Sequence, residues 1–157
     1  MNAFIKPLFC LFALLAVATG GCAPSGKELA RLSFQKAPAE NAGPETRSAS
    51  LDLKSGEEVA FWCEIDADHR NDLQMRFSVE VMAGEERVGN FELDPCNAST
   101  TLDHTTTTLI DEKSESWIGK MDVFKAKASG KYTFKVAFDA YYEDITELRK
   151  ADLVIRK

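Results

Sequence analysis

Residues 73–81 read LQMRFSVEV, and their reading decides the fold. Every odd position is apolar (Leu73, Met75, Phe77, Val79, Val81) and every even one is polar or charged. Successive side chains of a β-strand point to opposite faces, so this stretch offers one apolar face and one wet face. A helix would scatter the same five residues around its circumference. A sheet buried on one side and solvated on the other is the pattern of antiparallel pairing.

Working outward, the same period recurs along most of the chain. Downstream, KYTFKVAF (131–138) alternates Tyr132, Phe134, Val136 and Phe138 with lysine, threonine and alanine. Upstream, EVAFWCEID (58–66) places Val59, Phe61, Cys63 and Ile65 on one face, and SLDLK (50–54) offers Leu51 and Leu53. RLSFQK (31–36), RVGNFELD (87–94), TTTTLID (105–111) and ADLVIRK (151–157) read as further strands, and SWIGKMDVFKA (116–126) is apolar but ambiguous in phase. Ser55-Gly56, AGEE (83–86) and Ser129-Gly130 read as turns, and APAENAGPETRS (37–48) as a loop. YYEDITELRK (141–150) fits either a helical turn or the approach to the last strand. About eight strands and no convincing long helix predict an all-β, antiparallel β-sandwich, Ig-like or jelly-roll, with a closed barrel as the alternative.

The N-terminal segment follows a different rule. One base (Lys6) precedes an apolar run from Leu8 to Ala18, too short for the roughly 20 residues that cross a bilayer as a helix. The run ends in Gly20-Gly21-Cys22 and so resembles a bacterial lipoprotein signal, although Thr19 stands where that pattern has leucine and Gly20 where it has alanine or serine. The resemblance implies cleavage after residue 21, acyl chains on Cys22, a lipidated tether over 22–28 and one domain over 29–157. Ala23, where an acidic residue would favour inner-membrane retention in enteric-type bacteria, leans the expectation towards the outer membrane. An ordinary cleaved signal and a retained anchor helix are the alternatives.

Removing residues 1–21 takes away Lys6 and no acid, so the net charge of −6 becomes −7. An acidic chain has no electrostatic basis for binding nucleic acid, whose affinity comes from Lys and Arg on phosphates. Anionic headgroups would also repel it, leaving the acyl chains as the means of membrane attachment. With Cys10 lost and Cys22 acylated, Cys63 and Cys96 remain as a pair. In an oxidising compartment they are expected to form a disulfide, worth about 4 kcal/mol by loop entropy. Two reduced buried thiols or a metal pair are the alternatives.

The polar cluster EIDADHRND (64–72) carries Asp66, Asp68, Asn71 and Asp72, hard oxygen donors of the kind calcium takes. Arg70, Asn71 and Phe77 break the EF-hand spacing, and the same residues suit a solvated loop between strands. His69 and His104 each follow an aspartate, which reads as coincidence. No nucleophile elbow or phosphate loop is present, and Glu85-Glu86 and Glu143-Asp144 fall in turns, so no catalysis and no cofactor are expected. Trp62 has the opposite parity to Phe61 and Cys63. With Trp117, Tyr141 and Tyr142 it is the candidate contact surface for a glycan or an envelope protein, unless the N-terminal segment or a loop covers it.

ASGKY (128–132) resembles the Ser-Gly-x-Tyr segment of membrane-bound lysozyme-inhibitor lipoproteins, and the resemblance implies that Ser129 would be the residue reaching into the enzyme. No Trp-x-x-Gly-type segment follows it. The expectation is thus a lipid-anchored, non-catalytic envelope binding or structural module. An inhibitor lipoprotein and a carbohydrate-binding or calcium-dependent envelope domain are the alternatives.

Overall fold

The computed structural model describes residues 24–34, 44–141 and 143–157. Among them are nine strands: β1 (Glu28–Ser33), β2 (Glu45–Leu53), β3 (Glu58–His69), β4 (Met75–Ala83), β5 (Glu86–Leu93), β6 (Thr100–Leu109), β7 (Glu112–Lys125), β8 (Gly130–Ala140) and β9 (Ile145–Arg156). One 3₁₀ turn, Pro95–Asn97, links β5 to β6. All strand pairs are antiparallel.

The pairing has a simple logic. β1 runs beside β9, β2 beside β8, β3 beside β7 and β4 beside β5, so the chain is a long ribbon whose halves return along each other. Rolling the ribbon distributes these pairs over two sheets, β1-β9-β3-β7 against β2-β8-β4-β5. This is the jelly-roll arrangement, one of the two topologies expected. β6 stands outside the scheme, added to the first sheet beyond β7.

The alternating residues fill the space between the sheets. Val59, Phe61, Cys63, Ile65 and Ala67 of β3 face Phe77, Val79 and Val81 of β4 and Phe134, Val136 and Phe138 of β8, all essentially excluded from solvent. Rings meet at offset or edge-on geometry: Phe77 and Phe138 at 4.9 Å, Phe61 and Phe134 at 5.9 Å. Each buried phenylalanine contributes roughly 2–3 kcal/mol. A one-residue slip would turn this whole set to water, so the register is strongly fixed.

Three expectations change here. Glu64–His69 is the second half of β3 and not a loop, because the inward row continues through Ala67 to His69. The last residues of the expected loop 37–48 are strand, since β2 begins at Glu45, and of the two readings left open for 141–150 the strand holds from Ile145. Lys27 and Glu28, expected in the tether, belong to the sandwich: Lys27 exchanges two backbone hydrogen bonds with Lys157 (2.6 and 2.9 Å) and Glu28 already pairs with Arg156. Cys22 lies outside the described residues.

The outer face of the first sheet is held by charge. The Arg31 guanidinium donates to Glu64 (2.7 Å), Asp152 (2.6 Å) and Glu28 (2.7 Å), and Lys150 adds a contact to Glu64 at 3.0 Å. Hydrogen bonding from Arg31 holds the Glu64 carboxyl down at about 2, against the opposing cost of burial. Beside this network sits Trp62, only 4% exposed, in a small pocket shared with Ser25, Gly26, Lys120, Val123 and Arg156. The docked N-terminal segment thus removes Trp62 from the candidate contact surface. Among the described residues no helix is long and apolar enough to cross a membrane.

Candidate functional site

The inward row of β3 changes character at its end. Val59 to Ala67 are apolar, and the next inward residue is His69. On β7 the partners of that row change in step, with Trp117 opposite Ile65, Glu115 opposite Ala67 and Lys113 opposite His69. The row here passes the limits of the facing sheet, whose strands begin at Met75 and end at Leu93 and Ala140. The result is a cleft of about 390 Å³, floored by His69, Glu115 and Trp117 and walled by Cys96, Thr101 and His104.

Three local devices shape it. Asp94 caps the 3₁₀ turn, accepting from the Cys96 amide at 2.8 Å, and the Pro95 carbonyl accepts from the Trp117 indole at 3.0 Å. Gly119 lets the following segment close on the sheet: a Cβ there would meet Ala98 Cβ at 2.5 Å and Cys63 Sγ at 3.0 Å. The pairing of β6 with β7 is irregular between Leu102 and Thr105, and Asp103 adopts a left-handed backbone (φ 50°). That bulge aims the His104 ring edge-on at Trp117, with centroids 6.0 Å apart.

His69 is the most constrained polar side chain in the cleft. It is 2% exposed, and its Nδ1 bonds the Asn71 carbonyl. A carbonyl can only accept, so Nδ1 carries the proton and a neutral ring presents a bare lone pair at Nε2. Nε2 has no hydrogen-bond partner and lies 3.7 Å from Glu115 Oε2.

The expected Cys63–Cys96 disulfide is not formed; both are free thiols. The capped turn sets the Pro95 carbonyl, 4.0 Å from Cys63 Sγ, over the buried cysteine, and Cys96 Sγ turns to the Leu73 carbonyl at 3.4 Å. Burial pushes the Cys63 thiol up to about 12. Burial of the sulfur, then the charges of Asp94 and Glu115, push Cys96 up to about 11. Neither thiol is a ready nucleophile at neutral pH.

The calcium reading of Asp66, Asp68, Asn71 and Asp72 fails because the four diverge. Asp66 and Asp68 lie on the outer face of β3 and share the Arg149 guanidinium at 2.6–2.8 Å, so an arginine fills the cation position. Asn71 bonds Asp144, and Asp72 turns to the cleft. Among the described residues no three metal-ligating side chains converge. Trp117, expected near a strand end as an exposed contact, is mid-strand and 6% exposed. Tyr141 is half exposed and donates to Glu143 at 2.8 Å, outside the cleft, and Tyr142 lies outside the described residues. Ser129 accepts from the Ser55 amide at 2.9 Å, at the opposite end of β3 from the cleft.

Glu115 and Thr101 drew no attention in the sequence, and Cys96 drew it only as half of an expected disulfide. The signal that could have found the site was the inward row of β3, which keeps its parity through Ala67 and ends on a histidine. Compared with family models, curated proteins and solved structures, the chain has no significant match.

Proposed function

We propose that the chain is a lipid-anchored, non-catalytic binding module of the bacterial envelope, held through Cys22 and binding its partner in the cleft of His69, Glu115 and Trp117. The observation that carries this reading is the polarity of the sandwich. The N-terminal segment docks at the Glu58 end of β3, where Lys27 meets Lys157, and the cleft opens at the His69 end. The 12 residues of β3 separate the two ends by about 40 Å. An acyl anchor on Cys22, two residues before the described segment, would therefore hold the cleft away from the bilayer and towards a soluble partner, a glycan or another envelope protein.

Two measurements test it. Mass spectrometry of the protein extracted from membranes should find Cys22 as an acylated N-terminus, and an unmodified Cys22 would remove the anchor. Partner retention from solubilised envelopes should survive Tyr141→Ala and be lost with Thr101→Trp, which fills the cleft. Retention undiminished by Thr101→Trp would move binding off the cleft.

A further inference from the structure

We infer that the cleft selects a cationic N–H donor: a primary ammonium group, received between the His69 Nε2 lone pair and the Glu115 carboxylate. This rests on the reading of the cleft as the binding site and adds the chemistry of what enters it. The argument starts from the orientation of His69. Its ring is locked by the Nδ1–H bond to the Asn71 carbonyl, so its other nitrogen is an acceptor that cannot rotate away. That acceptor is buried and unpartnered, and the ring that carries it lines the cleft. A buried acceptor without a donor is costly, and a donating ligand would remove that cost.

The second acceptor fixes the charge of the ligand. Glu115 Oε2 at 3.7 Å is too far to bond Nε2, and two facing lone pairs repel. A group with several N–H bonds and a positive charge satisfies both at once. Two carboxylates, Asp72 and Glu115, line the cleft against one cation, Lys113, and Asp94 stands beside Cys96. Trp117 lies beside Glu115 on the floor, where an indole ring adds attraction for a cation. Because no three ligating side chains converge among the described residues, a hydrogen-bonding cation fits this donor set better than a metal ion.

A proton on Nε2 is the competitor. It would let His69 donate towards Glu115 itself, with His104, Asp72 and Lys113 facing the same space and Asp68 on the outer side of the strand.

The test uses the full mature chain in detergent, titrated with cadaverine while the His69 imidazole and Trp117 indole nitrogens are followed by NMR. Saturable shifts of both are expected, with affinity at least tenfold weaker in Glu115→Gln. Acetate or N-acetylglucosamine shifting these signals where cadaverine does not would overturn the cation assignment and leave the cleft as the binding site. Signals unmoved by all three probes would overturn it as well. The comparison of the three probes on the parent chain needs no variant, so a poorly folding Glu115→Gln leaves the inference testable.

Discussion

Along β8, Tyr132, Phe134, Val136 and Phe138 are all buried against the facing sheet, whereas along β6 nearly every residue is exposed, and at the tip of its hairpin Leu109 and Ile110 stand 68% and 98% in solvent. Both are antiparallel strands of similar length in the same sandwich. β8 has a partner on each side and apolar residues beneath it; β6 has β7 alone and threonines on its surface. The free energy of the fold is thus concentrated in the rolled ribbon. The added strand contributes little core and instead builds a wall, with His104 and Thr101 placed over the end of the sheet. The core of the ribbon and the wall of the proposed cleft are thus separate parts of the chain, and that separation can be attacked experimentally.

The largest effect should come from the ribbon. Phe134 packs between Phe61 and Phe124 with no solvent exposure, and Phe134→Ala should cost about 3–5 kcal/mol in urea unfolding. A smaller loss would mean that the core carries less of the stability than its burial implies. Gly119→Val sits where ribbon and added segment meet. It should cost about 1–3 kcal/mol through overpacking against Ala98 and Cys63, and shift the Trp117 indole signal as the Pro95 turn moves. If stability falls but the indole signal stays, the two regions are less coupled than Gly119 suggests.

Acid should weaken the ribbon through its outer face. The Glu64 carboxyl, held at about 2 by Arg31, lies below its unfolded value of about 4.3. Its contribution is complete above that unfolded value and is lost as pH falls towards 2. Glu64→Gln should lower stability at neutral pH by about 2 kcal/mol and flatten part of the acid slope. Part of the slope should remain, because hydrogen bonds from Arg149, and next from Ser114, also hold Asp68 at about 2. The smallest effect belongs to the cleft: Thr101→Trp should leave the urea midpoint within about 0.5 kcal/mol of the parent. A larger change would show that the wall is part of the stabilising structure after all.

The ribbon was legible in the sequence because its core residues recur with a period of two, as LQMRFSVEV and KYTFKVAF show without help. β7 was not, because its pairing with β3 is irregular at Phe61/Trp62, where Met121 has no partner and the inward parity passes from Trp117 and Gly119 to Phe124. The cleft was illegible for a related reason. His69 and Glu115 occupy inward positions but are polar, so a reading that takes polar residues for solvent placed His69 in a loop and passed over Glu115. The cysteine pair misled because spacing carries no information on which way a short capped turn directs its side chains. Trp62 was placed correctly on the outer face by parity, and only the docked N-terminal segment hid it.

The meeting of Lys27 and Lys157 carries a consequence for engineering the domain. Two backbone hydrogen bonds already join the ends of the ribbon, so its first and last strands form a closed seam. A short peptide linker across that seam would give a circularly permuted chain, with new ends opened at the exposed Gly84–Glu85 turn between β4 and β5. Such a permutant would display the same cleft with both termini relocated to a hairpin tip, where an anchor or reporter could be attached without disturbing the original seam.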